Sequence, residues 1–498
     1  MPAASFRPTC PAHACHGHSV SRRAFVALSS SSLAAWGMGG WWSRGAFADD
    51  PPLPETGEPP RLPAKECRPR VKACFVRRAG EYGMRWPGQI YDGEAARKKY
   101  TQQMQQSAKE LGIELDLREE PVYSLEDGKA WAARAKEAEA DGLVAVLLDR
   151  QQHAWPTAYA AVDSGLPTVI FSPLGSSFTT NTEALADRPG CFVSCTDDFS
   201  QTAFGMKMLK ARAQMRVTRC LVLAGNKRLD RVMPDVGIQL RYAPAGDFLA
   251  EYRKTPVDDK VQAMADELIA GARRQTKATR DDVINGIKSY VVAQRLMRRE
   301  QADAITMDCL GALGKTHVSL PCIAWSKMND DGIPAACEAD LGAVAGHIMV
   351  QYLFDRPGFQ QDPVPETVHD AIIGAHCSCP TKLSGFDAPA EPYDILPHHG
   401  DRDATRRTLW KEGQRVTSLD VLPGGPAEPT RMLIAVGTVL ENKSAPPAGG
   451  CVVSVMVKFD GDQNVLSFPG FHQLFFYGDY GKQLTAFSRL IGAQPVHA

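Results

Sequence analysis

The feature that most constrains the fold of this chain is an alternation of short apolar runs with longer amphipathic stretches. Runs of four to six apolar residues predict buried strands, and the stretches between them follow the 3.6-residue period of a helix. Such alternation is typical of a parallel α/β sheet. In the first half, the expected strands are Val71–Val76, Glu114–Leu117, Leu143–Leu148 and Thr168–Phe171, and the expected helices are Gly93–Leu111 and Leu125–Ala140.

The pattern restarts near residue 216 and then changes. A second α/β layer is expected from the strands Arg219–Gly225 and Ala304–Met307 and from the helices Lys260–Arg274, Thr279–Gln301 and Leu341–Phe354. After Pro380 the helical signals fade. The strands expected there are Met432–Leu440, Cys451–Phe459 and Gln473–Phe476, with Gly/Pro-rich connections. This composition predicts a mostly β third part, such as a small barrel.

These patterns predict two open α/β (Rossmann-like) domains followed by a β-rich C-terminal domain. We expect the first α/β domain at 69–215, the second at 216–355 and the β-rich domain at 356–498. A Pro-rich linker at 49–68 precedes them, and its apolar content is too low for it to pack.

The first 48 residues contain a charged, an apolar and a small-residue segment in the order that is typical of a secretory signal. Arg22 and Arg23 directly precede an apolar stretch, and Ala46-Phe47-Ala48 follows it with small residues where a signal peptidase cleaves. Paired arginines indicate the twin-arginine route, with cleavage after Ala48, and hence a periplasmic or secreted protein that interacts with the twin-arginine export machinery. A membrane anchor is the alternative, but the serines and glycines of the stretch make a stable span unfavourable.

Charge and cysteine usage narrow the class of protein. The 56 Lys and Arg residues against 57 Asp and Glu give a net charge of −1, so there is no basic excess for binding nucleic acid. A hydrophobic content of 44% is that of a globular protein. The 13 cysteines are mostly scattered singly, and a chain that folds before export is expected to keep them as thiols.

Two carboxylates and a histidine form a candidate metal-ligand set. Glu338 lies in a turn that leads into a helix, Asp362 lies beyond that helix, and His472 precedes a late strand. Oxygen-rich sets of this kind suit Mn²⁺, Mg²⁺ or Fe²⁺. Acids at a helix start also serve as caps, which is the structural alternative. Zinc on the His376-Cys377-Ser378-Cys379 segment is a further alternative, although its spacing is not that of a closed zinc site.

The C-terminal half resembles the L-fucose isomerase family and its L-arabinose isomerase relatives. The resemblance lies in Asp303–Asp362, His376-Cys377, the run from His472 to Asp479 and the closing stretch Leu484–Gly492. It implies the same three-part architecture and a homo-oligomer, either a trimer or a hexamer. It also implies a Mn²⁺ ion held by Glu338, Asp362 and His472, and an aldose–ketose isomerisation of a small sugar in which Glu338 and Asp362 move a proton through an enediol.

The resemblance further implies contacts to the sugar. Arg85, Trp86 and Gln89 match a family motif that forms a substrate lip for a neighbouring subunit, and an exposed loop is their structural alternative. Independently of the resemblance, His398 precedes His399 in a loop, and because adjacent histidines rarely bind one metal together we expect His398 to support the site or to contact the substrate. The alternative function is a non-catalytic exported carbohydrate-binding protein on an isomerase-derived fold, because paired α/β layers also build solute-binding proteins.

Overall fold

The first described sheet is parallel and lies between helices. The computed structural model describes residues 61–80, 83–84, 91–398, 402–425, 428–444, 452–462 and 464–497. The elements up to residue 217 are β1 (Arg70–Val76), β2 (Gly83–Met84), β3 (Tyr91–Asp92), α1 (Gly93–Leu111), β4 (Glu114–Leu117), α2 (Leu125–Glu137), β5 (Gly142–Leu147), α3 (Ala154–Asp163), β6 (Thr168–Ser172), α4 (Thr179–Thr182), β7 (Cys191–Cys195) and α5 (Ser200–Val217). Five of the strands pair in the order β4-β1-β5-β6-β7, all in parallel.

Local sequence explains these elements. The Asp92 carboxylate accepts hydrogen bonds from the backbone N–H groups of Glu94 and Ala95 at the start of α1, and Gly112 ends that helix with a φ of 66°. Every residue of the central strands β5 and β6 is buried. Central strands of a parallel sheet are covered on both faces, which is why these segments are continuously apolar.

The second sheet is also mainly parallel. Its elements are β8 (Arg219–Leu223), β9 (Leu229–Val232), β10 (Gln239–Ala243), α6 (Gly246–Lys254), α7 (Asp259–Gly271), β11 (Arg274–Gln275), α8 (Arg280–Arg299), β12 (Ala304–Met307), α9 (Cys309–Leu313), α10 (Cys322–Asp330), β13 (Ala335–Cys337) and α11 (Leu341–Phe354). The strand order is β13-β12-β8-β10-β9, with only β9 antiparallel. Strands β12 and β13 therefore end at the same edge of the sheet, where ligands commonly bind.

The third part is a closed six-stranded barrel. Its elements are β14 (Phe359–Glu366), β15 (Ala371–His376), β16 (Tyr393–Leu396), β17 (Thr405–Thr408), β18 (Arg415–Leu422), β19 (Arg431–Asn442), β20 (Val453–Phe459), β21 (Gln473–Tyr477), α12 (Gly481–Ile491) and β22 (Gln494–His497). The antiparallel ring runs β18-β21-β14-β15-β20-β19 and closes where β19 pairs with β18. Strand β22 adds to β19 in parallel, and β11, β16 and β17 form a separate small sheet.

The predicted order of an α/β part followed by a β-rich part is confirmed. Helices Gly93–Leu111 and Leu341–Phe354 have the predicted bounds. The helix expected to reach Ala140 ends at Glu137 instead, because Glu139 adopts a left-handed conformation with a φ of 50°. The helix expected to reach Arg274 ends at Gly271. Among the described residues, no helix combines the length and apolar character needed to cross a bilayer.

The described end of the expected linker packs against the protein. Arg61 Nη1 donates to Asp303 Oδ2 at 2.7 Å, and Ala64 is fully buried. Gln214 Nε2 donates to the carbonyl oxygen of Ala64 at 3.3 Å. Polar contacts rather than apolar area hold this segment, so its composition did not reveal the packing.

Candidate metal centre

Glu338 lies at the carboxyl edge of the second sheet, directly after β13 ends at Cys337. Glu338 has a φ of 64° and Ala339 a φ of 54°, and such left-handed conformations cost a non-glycine residue on the order of 1 kcal/mol each. The Ala339 N–H donates to the carbonyl oxygen of Met307 at 2.8 Å. The turn is thus tied to the neighbouring strand β12, which fixes the place from which the Glu338 side chain extends.

Asp340 joins this turn to the barrel. One of its oxygens, Oδ1, accepts from the Ala343 N–H at 2.7 Å and caps helix α11. The other oxygen, Oδ2, lies 2.9 Å from Nδ1 of His472. The capping alternative is therefore correct for Asp340, and the same carboxylate also orients a histidine from another part of the chain.

Asp362 lies on barrel strand β14, between the two strands that carry histidines. It is opposite Ala375 of β15, the residue before His376. On the other side, Gln361 is opposite Gln473 of β21, the residue after His472. The barrel register thus places one acidic side chain beside the end of β15 and the start of β21.

His472 is held in a constrained loop. Its φ is 51°, again left-handed, and its side chain is 6% exposed. The preceding residue, Phe471, donates its N–H to Asp420 Oδ2 at 2.9 Å. Buried Asp420 lies on β18, so a strand of the barrel anchors the loop that presents the imidazole.

The Nε2 atom of His472 faces both predicted carboxylates. It lies 3.2 Å from Asp362 Oδ1 and 3.6 Å from Glu338 Oε2. A second imidazole is close, because Nε2 of His376 lies 4.0 Å from Glu338 Oε1. Ligand atoms of Glu338, His376 and His472 are all within 4.8 Å of one another. The structure thus brings together the three residues proposed as ligands, and adds a fourth.

The pKa values of the four titratable side chains at this site are shifted in different directions. Burial raises the pKa of Glu338, and the nearby Asp362 and Asp340 carboxylates raise it further. Burial acts the same way on Asp362, but contact with His472 outweighs it and lowers the pKa. Burial disfavours the charged form of His472, yet Asp340 and Asp362 raise its pKa to about 10. His376 is different, since burial lowers its pKa to about 4.

These residues fit a divalent cation. Asp362 Oδ1 is buried and makes no hydrogen bond of good geometry with the residues that the structure describes, although Nε2 of His472 is close. A cation bound by both atoms would satisfy that oxygen. Two carboxylates and an imidazole are donors that Mn²⁺ accepts. The contact between Asp340 and Nδ1 of His472 is the carboxylate support that metal-bound histidines commonly have, and it leaves Nε2 for the ion.

The other predicted site residues have different positions. Arg85, Trp86 and Gln89 lie outside the described residues, as do Arg22, Arg23 and Ala48 of the expected signal peptide. His398 is 3% exposed, and a ring nitrogen of His398 lies within 4.8 Å of the sulfur atoms of Cys322 and Cys377 rather than with the carboxylates.

Sequence reasoning missed two side chains of the cluster and an aromatic neighbour. Asp340 and His376 were visible in the sequence, but only the pairing of distant elements shows that they meet Glu338 and His472. Phe471 is 41% exposed, and its ring centroid lies 4.7 Å from that of His472. An exposed aromatic residue directly before the late histidine is the signal that could have marked it.

Comparison with known proteins adds little to this description. No family model matches the sequence, and no curated protein matches it. A solved structure that does match is a solute-binding protein of an ABC transporter from Burkholderia multivorans, with an unknown ligand represented as α-D-erythrofuranose. The two chains are 14% identical, and the match covers 58% of this chain and 95% of the other, with a TM-score of 0.17. A TM-score this low supports no conclusion about function.

Proposed function

We propose that this protein is a Mn²⁺-dependent aldose–ketose isomerase that acts on a small sugar of the fucose or arabinose type. The observation that supports this most is the position of His472 Nε2, 3.2 Å from Asp362 Oδ1 and 3.6 Å from Glu338 Oε2. These residues come from three separate elements, and the resemblance to the L-fucose isomerase family pairs the same three residues with Mn²⁺.

Glu338, Asp362 and His472 would hold the ion, and His376 is near enough to Glu338 to contact a ligand beside it. Mg²⁺ or Fe²⁺ suits the same donors. When bound, the cation supplies positive charge that polarises the sugar's C1 and C2 oxygens.

The chain's own residues would carry out the proton transfer. Removal of a proton next to a carbonyl needs a positioned base, and its return to the adjacent carbon needs the same or a second group. The carboxylates of Glu338 and Asp362 flank the same imidazole nitrogen and are the candidates for both steps. Asp340 keeps His472 in place, and the exposed ring of Phe471 offers an apolar surface for one face of a sugar.

The test is ketose formation by the purified chain with added Mn²⁺ across a panel of pentoses and deoxyhexoses. We expect conversion of at least one sugar, and loss of that activity after removal of the metal or in Glu338→Gln. Glu366→Gln is the matched control, because Glu366 lies on the same strand as Asp362 but pairs with His369. We expect it to retain activity.

Two results would contradict the proposal. One is a Glu338→Gln variant with full activity. The other is a wild-type chain that carries Mn²⁺ and converts none of the sugars. A chain that binds a sugar without any bound metal and without converting it would instead support the carbohydrate-binding alternative.

A further inference from the structure

A group of buried cysteines and one histidine lies next to the candidate metal centre, because Cys337 precedes Glu338 and Cys377 follows His376 in the sequence. Five elements of the second α/β part and the C-terminal part contribute to it. Its members are Cys309 at the start of α9, Cys322 at the start of α10, Cys337 at the end of β13, Cys377 after β15 and His398 after β16. Each of these residues is at most 7% exposed. We call them the thiol cluster.

Cys377 is the centre of the thiol cluster. Its sulfur lies within 4.8 Å of the sulfur of Cys322 and of a ring nitrogen of His398. It also lies within 4.8 Å of the sulfur of Cys337 and of a ring nitrogen of His376. Cys337 in addition contacts the hydroxyl of Ser378 at 3.2 Å. Two groups of three donors thus share the sulfur of Cys377, one with Cys322 and His398 and the other with Cys337 and His376.

The cluster differs in chemistry from the neighbouring site. Thiolates and imidazoles select thiophilic cations, whereas carboxylate-rich sets select harder ions such as Mn²⁺. In a tetrahedral zinc site with Zn–S bonds of about 2.3 Å, the donor atoms stand about 4 Å apart. The sulfur atoms of Cys322 and Cys377 and a ring nitrogen of His398 already lie within 4.8 Å of one another, so small side-chain rotations bring them to that spacing.

We propose that Cys322, Cys377 and His398 form a second metal site that takes a thiophilic cation of the Zn²⁺ class. On binding, the thiols of Cys322 and Cys377 each give up a proton to solvent and donate a sulfur lone pair, while His398 binds as neutral imidazole. This site is independent of the proposed isomerase activity, because none of its ligands belongs to the set Glu338, Asp362 and His472.

The protonation of Cys322 is expected to differ between the metal-free and the metal-bound site. The hydrogen bond with Cys377 lowers the pKa of Cys322, but burial together with the nearby Cys337, Cys309 and Asp403 outweighs it and raises the pKa to about 11. Without a cation, this sulfur therefore remains a thiol at neutral pH. A bound metal ion would displace its proton, which makes binding dependent on pH.

The test uses Co²⁺ as a spectroscopic probe on the full chain, reduced and stripped of metal. Thiolate ligands give Co²⁺ an intense near-ultraviolet charge-transfer absorption, which a site of carboxylates and imidazoles lacks. We expect this absorption to saturate at one equivalent and to disappear when Zn²⁺ is added. It should persist in Glu338→Gln, which separates the thiol site from the carboxylate site.

Two substitutions and a matched control locate the site. Cys377→Ala and Cys322→Ser should each weaken Co²⁺ binding by more than about 100-fold, since the loss of a ligand exceeds the loss of a supporting residue. Cys379→Ala is the control, because Cys379 is fully buried and close in sequence but is not in the thiol cluster. It should keep the absorption.

The proposal is overturned if the wild-type chain shows no thiolate absorption. It is also overturned if the absorption survives in both Cys377→Ala and Cys322→Ser, or if mass spectrometry finds these thiols joined as disulfides in a metal-free native protein. Circular dichroism of both variants establishes that they fold. Mn²⁺-dependent isomerase activity, measured in parallel, can be present or absent without affecting this result.

Discussion

Asp340 is a residue with two partners in different parts of the chain. It caps helix α11 through Ala343 and contacts Nδ1 of His472 through its other oxygen. The second contact spans 132 residues of sequence. The orientation of the histidine therefore depends on an acid at the start of helix α11, outside the barrel.

We expect Asp340→Asn to weaken Mn²⁺ binding by about 10- to 100-fold, because the neutral amide supports the imidazole less well. Metal titration of the purified variant measures this. Asp258→Asn is the matched control, since Asp258 caps helix α7 in the same way without touching a histidine. Equal Mn²⁺ affinity in Asp340→Asn and in the wild type would contradict the role assigned to Asp340.

The pH dependence of stability is a second prediction about a single residue. The pKa of His472 is raised to about 10 in the metal-free protein, above the value of about 6.5 in an unfolded chain. The charged form of His472 thus makes its whole contribution to the free energy of unfolding below about pH 6.5. This contribution is lost as the pH rises toward 10.

The unfolding midpoint of the metal-free chain should therefore fall between pH 7 and pH 10 more steeply than that of His472→Gln. Thermal unfolding followed by circular dichroism measures both curves. His369→Gln serves as the control, because His369 is an exposed histidine paired with Glu366. Parallel curves for wild type and His472→Gln would show that the charge on His472 does not stabilise the fold.

At the scale of elements, the loop before β21 depends on a glycine. Gly470 has a φ of 90°, and a Cβ atom built there would lie 2.5 Å from Asp420 Oδ2. Asp420 also holds the N–H of Phe471. An alanine at position 470 would therefore push against the residue that anchors the loop of His472.

We expect Gly470→Ala to reduce Mn²⁺ affinity and to destabilise the protein by more than the backbone strain alone, which is about 1–2 kcal/mol. Gly413→Ala isolates that strain, because Gly413 has a φ of 76° and an added Cβ would meet no atom of the described part of the chain within 4 Å. Chemical denaturation and metal titration compare the two. Identical losses in both variants would mean that the contact with Asp420 has no effect.

The elements differ in how well the sequence predicts them. Strand β5 and helix α1 follow clear apolar periods, so their positions were predicted closely. Helix α5 was missed because apolar and polar residues are mixed around it and several of its faces are buried. Strand β14 has the sequence Phe-Gln-Gln-Asp-Pro-Val-Pro-Glu, which has no regular alternation. Its place in the barrel comes from pairing with β15 and β21.

The residues of the candidate metal centre also differ in how well the sequence predicts them. Glu338, Asp362 and His472 could be predicted from residue type, spacing and resemblance. The contacts of Asp340 and His376 could not, because they depend on the register of the barrel against the second sheet, and no local pattern encodes that register.

For the whole molecule, the candidate centre connects two layers. Glu338 directly follows strand β13 of the second sheet, whereas Asp362 lies on barrel strand β14 and His472 directly precedes barrel strand β21. An ion bound by all three links these parts only in the folded chain. Binding to the native state alone stabilises a protein by about 2.7 kcal/mol at a ligand concentration 100 times the Kd.

We therefore expect saturating Mn²⁺ to raise the unfolding temperature of the wild-type chain and to leave that of Glu338→Gln nearly unchanged. Scanning calorimetry with and without the ion measures the shift, and Glu366→Gln should respond as the wild type does. A shift of equal size in Glu338→Gln would place the bound ion elsewhere.

The separation of the ligands along the chain has a consequence for the timing of assembly. Contacts across 132 residues, such as that between Asp340 and His472, form late because the intervening chain must first be ordered. During synthesis, the N-terminal parts of a protein generally fold before the C-terminal parts exist. Glu338 emerges from the ribosome well before His472. A nascent chain would have an incomplete metal site, and only a molecule whose last barrel strands had been made could capture its ion.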